Sequence, residues 1–477
     1  MNTRRTKCSL CEREIWYPHA QCIFHSGVSK SVEEFTDAFL EELERVNRSD
    51  TIKKFSCRSF IFPDNLQLEN LFFSKDTSFD NASFGQNVSF SKTKFVGETS
   101  FRNTRFLGKI SCNRTHFVGP SFWYGRFEDD AFFDNVYFEN GSYFGNSRDN
   151  TYFGGRTSFR DARFARKIAF ENIRFAQVTD FLRADFLGSA RFNSVEFSQE
   201  ASLHLTHFLE EASFLNITHK KTLYLSSMFF EKPARFHNID FNNVLLKKSN
   251  LEEVEFLSCT WPIIQNRKAV FDEAEIYDKV KPNRNLEAET TLGLEAKFVE
   301  VGHIYKRLQM NFEKYKSYAE AGDFYVGTME MRRKIIACKG NMLWRWLRQN
   351  LLSLEGWYRN ISKYGQSYFR TLIWMSLIFT LFAIFYLLTG FRNEPNEQQM
   401  HPTIINYEIS ELFRKDIRTL SADYTEALVI SMFVFTFQRN MPYKLSIESQ
   451  IISVLEATLS ASLLALFLLA IRRKFKR

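Results

Sequence analysis

A chain of 477 residues with a formal net charge of +8 is long enough for several domains, and its 52 phenylalanines against seven tryptophans are more of one aromatic than a globular core needs. That bias points to a repeat. The basic excess does not mark a nucleic-acid binder, because much of it sits ahead of one apolar stretch and in the final RRKFKR, and no Ser/His/Asp or Cys/His set, phosphate loop or acid cluster supports an enzyme.

The first residues, MNTRRTKCSLC, lack the apolar core of a secretion signal, so seven cysteines in a reducing compartment read as metal ligands or free thiols rather than disulfides. Cys8 and Cys11 form one close pair and Cys22 and His25 a second, joined by a short loop (CSLCEREIWYPHAQCIFH). Four soft donors so spaced converge on one tetrahedral ion, and Cys3His is an accepted structural zinc set. His19 is the alternative fourth donor, at poorer spacing. The plain alternative is a frayed terminus with incidental thiols. A charged helix follows from Ser31 to Arg48, with Phe35, Phe39 and Leu43 on one face to dock this knuckle on what comes next. Residues 1–54 form this first segment.

From Phe79 the chain repeats. Phenylalanine stands at 79, 84, 90, 95, 101 and 106, in steps of five and six, and the ladder runs on through Phe117, Phe122, Phe127, Phe133, Phe138 and Phe144. After GNSRDNTYFGG it resumes at Phe153 and fades towards Phe256. Two residues before most of these stands a small or β-branched side chain, such as Ala82, Val88, Thr93, Thr99, Ala162 or Val195. Neither a helical nor a strand period gives this spacing, whereas a square coil does, one bulky side chain per face turned inward and a small one in the corner. Cys112 falls at a core position and reads as a small filler.

This pattern resembles the pentapeptide-repeat family over roughly residues 55–262, and the resemblance implies a right-handed quadrilateral β-helix. Coils of about 22 residues with bulged corners are expected, eight or so of them, stacked at about 4.8 Å into a stiff rod near 40 Å long. Some soluble members mimic DNA by acidic charge, but acids and bases are balanced here. The rod therefore reads as a place for a cytosolic protein or ligand to bind.

Residues 263–341 read as a polar, aperiodic linker with a little structure to about 293 and then a helical hairpin, with Gly322 and Asp323 at its turn. Residues 342–368 mix Trp344, Trp346 and Trp357 with Arg345, Arg348 and Lys363, the composition of an amphipathic helix lying in a membrane interface. The plain alternative is a solvated helix packed on protein.

Residues 369–477 carry two apolar runs, 369–391 and 449–471, each long enough to span a bilayer, the second broken by Glu456. Basic residues flank both on one side, which puts the N and C termini in the cytosol. Between them 424–437 (YTEALVISMFVFTF) reaches only about 21 Å as a helix, too short to cross. A half-length helix is tolerated in a membrane only where it is buried in protein or lines water. With Asp423 and Glu426 placed to cap its first turn, this module resembles the pore domain of two-transmembrane channels of the potassium-channel type, with a re-entrant half-helix. Those channels carry TVGYG at the filter, whereas this chain reads Thr436, Phe437, Gln438, Arg439, Asn440, Met441 and Pro442, so potassium selectivity is not expected.

Arg439 either rings a central axis or turns to lipid headgroups, and Glu456 either pairs with it or faces a wet cavity. Thr436, Phe437, Gln438, Arg439, Asn440 and Glu456 are thus the candidate pore residues. One hairpin cannot enclose a passage, so the first reading is a homo-oligomeric ion channel of a bacterial inner membrane, a tetramer by resemblance. The alternative is a non-conducting scaffold anchored by the same hairpin.

Overall fold

The computed structural model describes residues 21–28, 30–148, 150–280, 289–337, 352–393, 404–407, 416–438 and 441–475, together with Lys7, Cys8, Cys11, Arg13, Leu347, Arg348 and Asn350. The chain divides into two compact units within one helix: residues 1–316 with 323–328, and residues 317–322 with 329–477.

The first unit is a β-solenoid of about nine turns, seen in a nine-stranded parallel ladder that crosses one face. Successive turns pair at a register of 22, as in Phe62↔Phe84 and Phe84↔Phe106. Backbone register places like side chain over like, so phenylalanines stack within the core. Phe62, Phe84, Phe106, Phe127, Phe153, Phe175 and Phe197 form one column with ring centroids 4.1 to 5.4 Å apart. Phe73, Phe95, Phe117, Phe138, Phe164, Phe186, Phe208 and Phe230 form another. Each fully buried ring contributes about 2–3 kcal/mol. Cys112 fills a core position, fully buried, with its turn paired to those of Phe90 and Phe133. The small residues between do what their size predicts, as Thr93, Thr104 and Thr115 turn their hydroxyls to the carbonyls of Leu68, Phe79 and Phe90 at 2.7 to 2.9 Å.

Two local departures from the expected ladder are instructive. The inward ring is Trp123, stacked 4.2 Å from Phe101, while Phe122 faces out under the guanidinium of Arg102. The Phe101 column keeps its step of 22 there, and the next face shortens to 21, from Phe106 to Phe127. The corners also carry their own period: Asn70, Asn81, Lys92, Asn103 and Arg114 lie eleven residues apart, each with φ between 55° and 59°. Asparagine tolerates this left-handed corner better than most residues.

Both ends of the solenoid are covered. Helix α1 (Val32–Arg48) lays Phe35 against Phe62 and Phe39 against Phe55 and Phe73. At the far end residues 263–280 hold more structure than the little expected of a linker. They form a hairpin of Ile263–Ile264 with Arg267–Lys268 and then α2 (Phe271–Val280). The sequence conceals this because the groups it buries are polar: Arg267 and Glu273 pair at 2.6 Å out of contact with solvent, beside Tyr305. Asp272, also buried, accepts Leu246 N–H at 3.0 Å. Helix α3 (Glu289–Lys314) closes the last coil, where Asn311 Nδ2 donates to the carbonyls of Leu251 and Val254 at 2.7 and 2.6 Å and Phe312 stacks on Phe256. Helix α4 (Tyr318–Ala337) follows, and the turn falls at Lys316, φ 61°, leaving Gly322 and Asp323 inside α4. Asp323 is occupied there in accepting Lys268 N–H at 3.2 Å.

The second unit comprises the end of α4, α5 (Leu354–Ser362), α6 (Tyr368–Thr389), α7 (Ile417–Phe435) and α8 (Ile447–Phe475). Three short antiparallel strands, Phe391–Asn393, Ile404–Ile405 and Tyr443–Leu445, join the ends of α6 and α8. Helices α6 and α8 are long and apolar enough to cross a membrane. Much of the expected interfacial helix lies outside the described residues; α5 is its described part, with Leu354 and Trp357 exposed.

Candidate functional site

Two places bring the chemistry-bearing residues together. At the N-terminus the donor atoms of Cys8, Cys11, Cys22 and His25 all lie within 4.8 Å of one another. The separations are 3.4 Å for Cys11 Sγ to Cys22 Sγ, 3.2 Å for Cys22 Sγ to His25 Nδ1 and 3.8 Å for Cys8 Sγ to His25 Nδ1. A tetrahedral ion with metal–sulfur distances of about 2.3 Å sets its donors roughly 3.8 Å apart, so the set fits a single metal ion. His25 is buried and its Nε2 lies 3.1 Å from the Arg58 carbonyl, to which it donates. That bond fixes the tautomer and turns the Nδ1 lone pair to the three cysteines. Burial also holds the imidazole below its usual pKa, in the neutral form a metal requires. His19 lies outside the described residues.

The second place is the three-helix module. Gly390, φ 85°, ends α6, and its carbonyl accepts Ser449 Oγ at 2.7 Å, tying the end of α6 to the start of α8. Tyr407 N–H donates to the Leu387 carbonyl at 2.9 Å, and its phenol donates to Asp423 on α7. Two turns further along α7, Ser431 Oγ lies 3.2 Å from the Phe379 carbonyl, halfway along α6. After α7 the chain pairs Tyr443 with Asn393, back beyond the end of α6. Helix α7 is longer than the sequence indicated, because IRTLSAD adds turns before Tyr424. Asp423 and Glu426 are therefore within the helix rather than capping it; Asp416 stands at its start.

Glu456 is fully buried between the helices. Tyr386 Oη of α6 donates to its Oε2 at 2.7 Å, and Ser431 Oγ of α7 donates to its Oε1. Thr436, Phe437 and Gln438 are exposed at the tip of α7, with Phe437 at φ 57°. Among the described residues the partners of Glu456 are Tyr386 and Ser431. Arg439 and Asn440 lie outside the described residues. Sequence reasoning passed over Tyr386 and Ser431, whose signal was a hydroxyl inside an otherwise apolar helix.

At its basic end α8 is fastened by Arg473, which donates to the Tyr364 carbonyl at 2.8 Å. The Tyr364 phenol in turn donates to Glu330 at 3.1 Å, and Arg359 of α5 and Arg333 of α4 pair with the same carboxylate at 2.9 and 2.8 Å.

With the coil register and inward columns in view, the comparison with known families is direct: residues 79–126 match the model described as Pentapeptide repeats (9 copies). This stretch consists of pentapeptide repeats. No curated protein and no solved structure matches the chain. The pentapeptide-repeat solenoid and two possible membrane helices are thus the parts from which a function must be built.

Proposed function

We propose that the chain is the protomer of an oligomeric ion channel in a bacterial inner membrane, with α6 and α8 spanning the bilayer, α7 re-entering it, and the pentapeptide-repeat solenoid in the cytosol with both termini. The observation that carries this reading is the path of α7: level with Leu387 at Asp423, it reaches Phe379 at Ser431, and the chain then goes back to Asn393. At 1.5 Å per residue that descent is about 12 Å, roughly half of a hydrocarbon core's reach from one face. A helix that goes in and comes out on one side is stable where it borders water in an assembly of several copies. Four copies are favoured by analogy with two-transmembrane channels. Thr436, Phe437 and Gln438, exposed on the single protomer, with Arg439 and Asn440 next in sequence, are assigned to the passage. Without glycine there, a carbonyl cage selective for potassium is not supported.

We further assign structural zinc to Cys8, Cys11, Cys22 and His25. Three thiolates and an imidazole fill all four positions of the ion, whose contribution would be cross-linking. The solenoid then serves as an interaction module whose partner biases the gate. Helix α4 belongs in sequence to both units, and its Glu330 holds Tyr364 and Arg359 immediately before α6.

A second reading, a membrane-anchored scaffold, is favoured by Glu456. It is the one charged side chain from Ser449 to Ile471, and it is sequestered inside the protomer. Reconstitution separates the two. A channel gives ion flux above that of empty liposomes, together with a cross-linked ladder ending at the oligomer, whereas intact oligomers without flux, or monomers, leave the scaffold.

A further inference from the structure

Where the last coil meets α3, a groove of about 570 Å³ is rimmed by cations. Lys297, His303 and Arg307 stand along one side of α3, and Lys248 faces them from a left-handed corner of the solenoid, φ 59°. The two lysines and His303 are exposed. Arg307 is half-buried and fixed, because its Nη1 donates to the Ser249 carbonyl at 2.7 Å, and its guanidinium lines the groove. Three permanent cations are opposed by one carboxylate, Glu300. The floor is apolar, made by Ala296, Val299 and Ile304, with Val299 40% exposed.

An apolar floor of this volume with a few convergent charged groups at one edge is the form of a small-ligand site rather than of a solvated helix face. A floor without donors or acceptors asks for a flat or hydrocarbon moiety. A rim of lysines and a fixed guanidinium asks for a tetrahedral oxyanion beside it, since arginine and lysine bind phosphate through charge-assisted hydrogen bonds. We infer that this groove binds a phosphate-bearing small molecule with an apolar or aromatic body, of the mononucleotide class or as a phospholipid headgroup. The inference does not depend on whether the helical hairpin conducts.

The test uses the full chain in lipid nanodiscs, with AMP as the soluble probe in neutral phosphatidylcholine discs and, in a second arm, discs containing phosphatidylglycerol without AMP. Saturable AMP binding is expected, weakened at least tenfold by Lys248→Glu or Lys297→Glu and unchanged by Lys54→Glu at the opposite end of the solenoid. Both rim lysines are exposed, so the variants should keep the wild-type thermal transition. Protection of residues 296–307 from hydrogen exchange by phosphatidylglycerol alone, lost in Lys297→Glu, would identify the phosphate as a headgroup. Binding absent in both arms, or weakened equally by Lys54→Glu, overturns the inference.

Discussion

The phenol of Tyr386 donates to the carboxylate of Glu456 at 2.7 Å across the interface of α6 and α8, and Ser431 of α7 completes the carboxylate from the other side. One side chain therefore joins three helices. Glu456→Ala would leave the Tyr386 hydroxyl without its acceptor, turn Ser431 to the Phe379 carbonyl alone and open a cavity, a loss of about 2–4 kcal/mol. Glu456→Gln, which keeps an acceptor and the volume, should lose less, about 1–2 kcal/mol. Thermal unfolding in detergent orders the variants; equal transitions for wild type and Glu456→Ala would contradict the arrangement.

The metal assignment predicts one zinc per chain by atomic emission, abolished by Cys22→Ser. Chelation should also loosen the first coil, because His25 reaches Arg58 and the Phe24 carbonyl accepts Ile61 N–H at 2.8 Å. Hydrogen exchange should quicken at residues 58–62 and stay unchanged near Phe170. A chain that holds no metal, or whose first coil ignores chelator, refutes the assignment.

Asp272 carries a pH dependence. Burial pushes its carboxyl up to about 7 against an ordinary value near 4, despite the Leu246 N–H and Lys247. The folded form therefore holds a proton that the unfolded form releases. Stability from this group is fully present below about pH 4 and is lost as pH rises through 7, with an upper bound of about 4 kcal/mol. Local opening at residues 244–256 should become easier between pH 5 and 8, and Asp272→Asn should flatten that slope. A slope unchanged in the variant would assign it elsewhere.

Leucine is poorly suited to the left-handed corner it occupies at Leu205, φ 58° and 48% exposed. Leu205→Asn or Leu205→Gly should relieve the backbone without touching the core and raise stability by about 0.5–1 kcal/mol. A lower melting temperature for Leu205→Asn would show that the side chain packs more than its exposure implies.

The inward columns were legible because a repeated constraint is written many times, so the period survives local noise. Its failures are local: Phe122 and Trp123 are adjacent and both aromatic, and only the register of Phe101 decides which turns in. The corner period of eleven is also in the sequence, in Asn70, Asn81 and Asn103, but Lys92 and Arg114 break the residue type while keeping the conformation. Residues 263–280 were illegible for a different reason. Hydropathy reports apolar burial, and that cap is organised by Arg267, Asp272 and Glu273. The cluster of Cys8, Cys11, Cys22 and His25 could be read from spacing alone. The partners of Glu456 could not, since Tyr386 and Ser431 lie 70 and 25 residues away and look like ordinary members of apolar helices.

A stack of coils ordinarily offers its first and last strands as templates for another chain, and fibres grow that way. Here α1 and the His25–Arg58 bond occupy one end, and Asn311 consumes the carbonyls of the other. Head-to-tail stacking of the solenoid is closed off at both ends, so adding coil to coil is not a route by which copies of this chain could build a fibre.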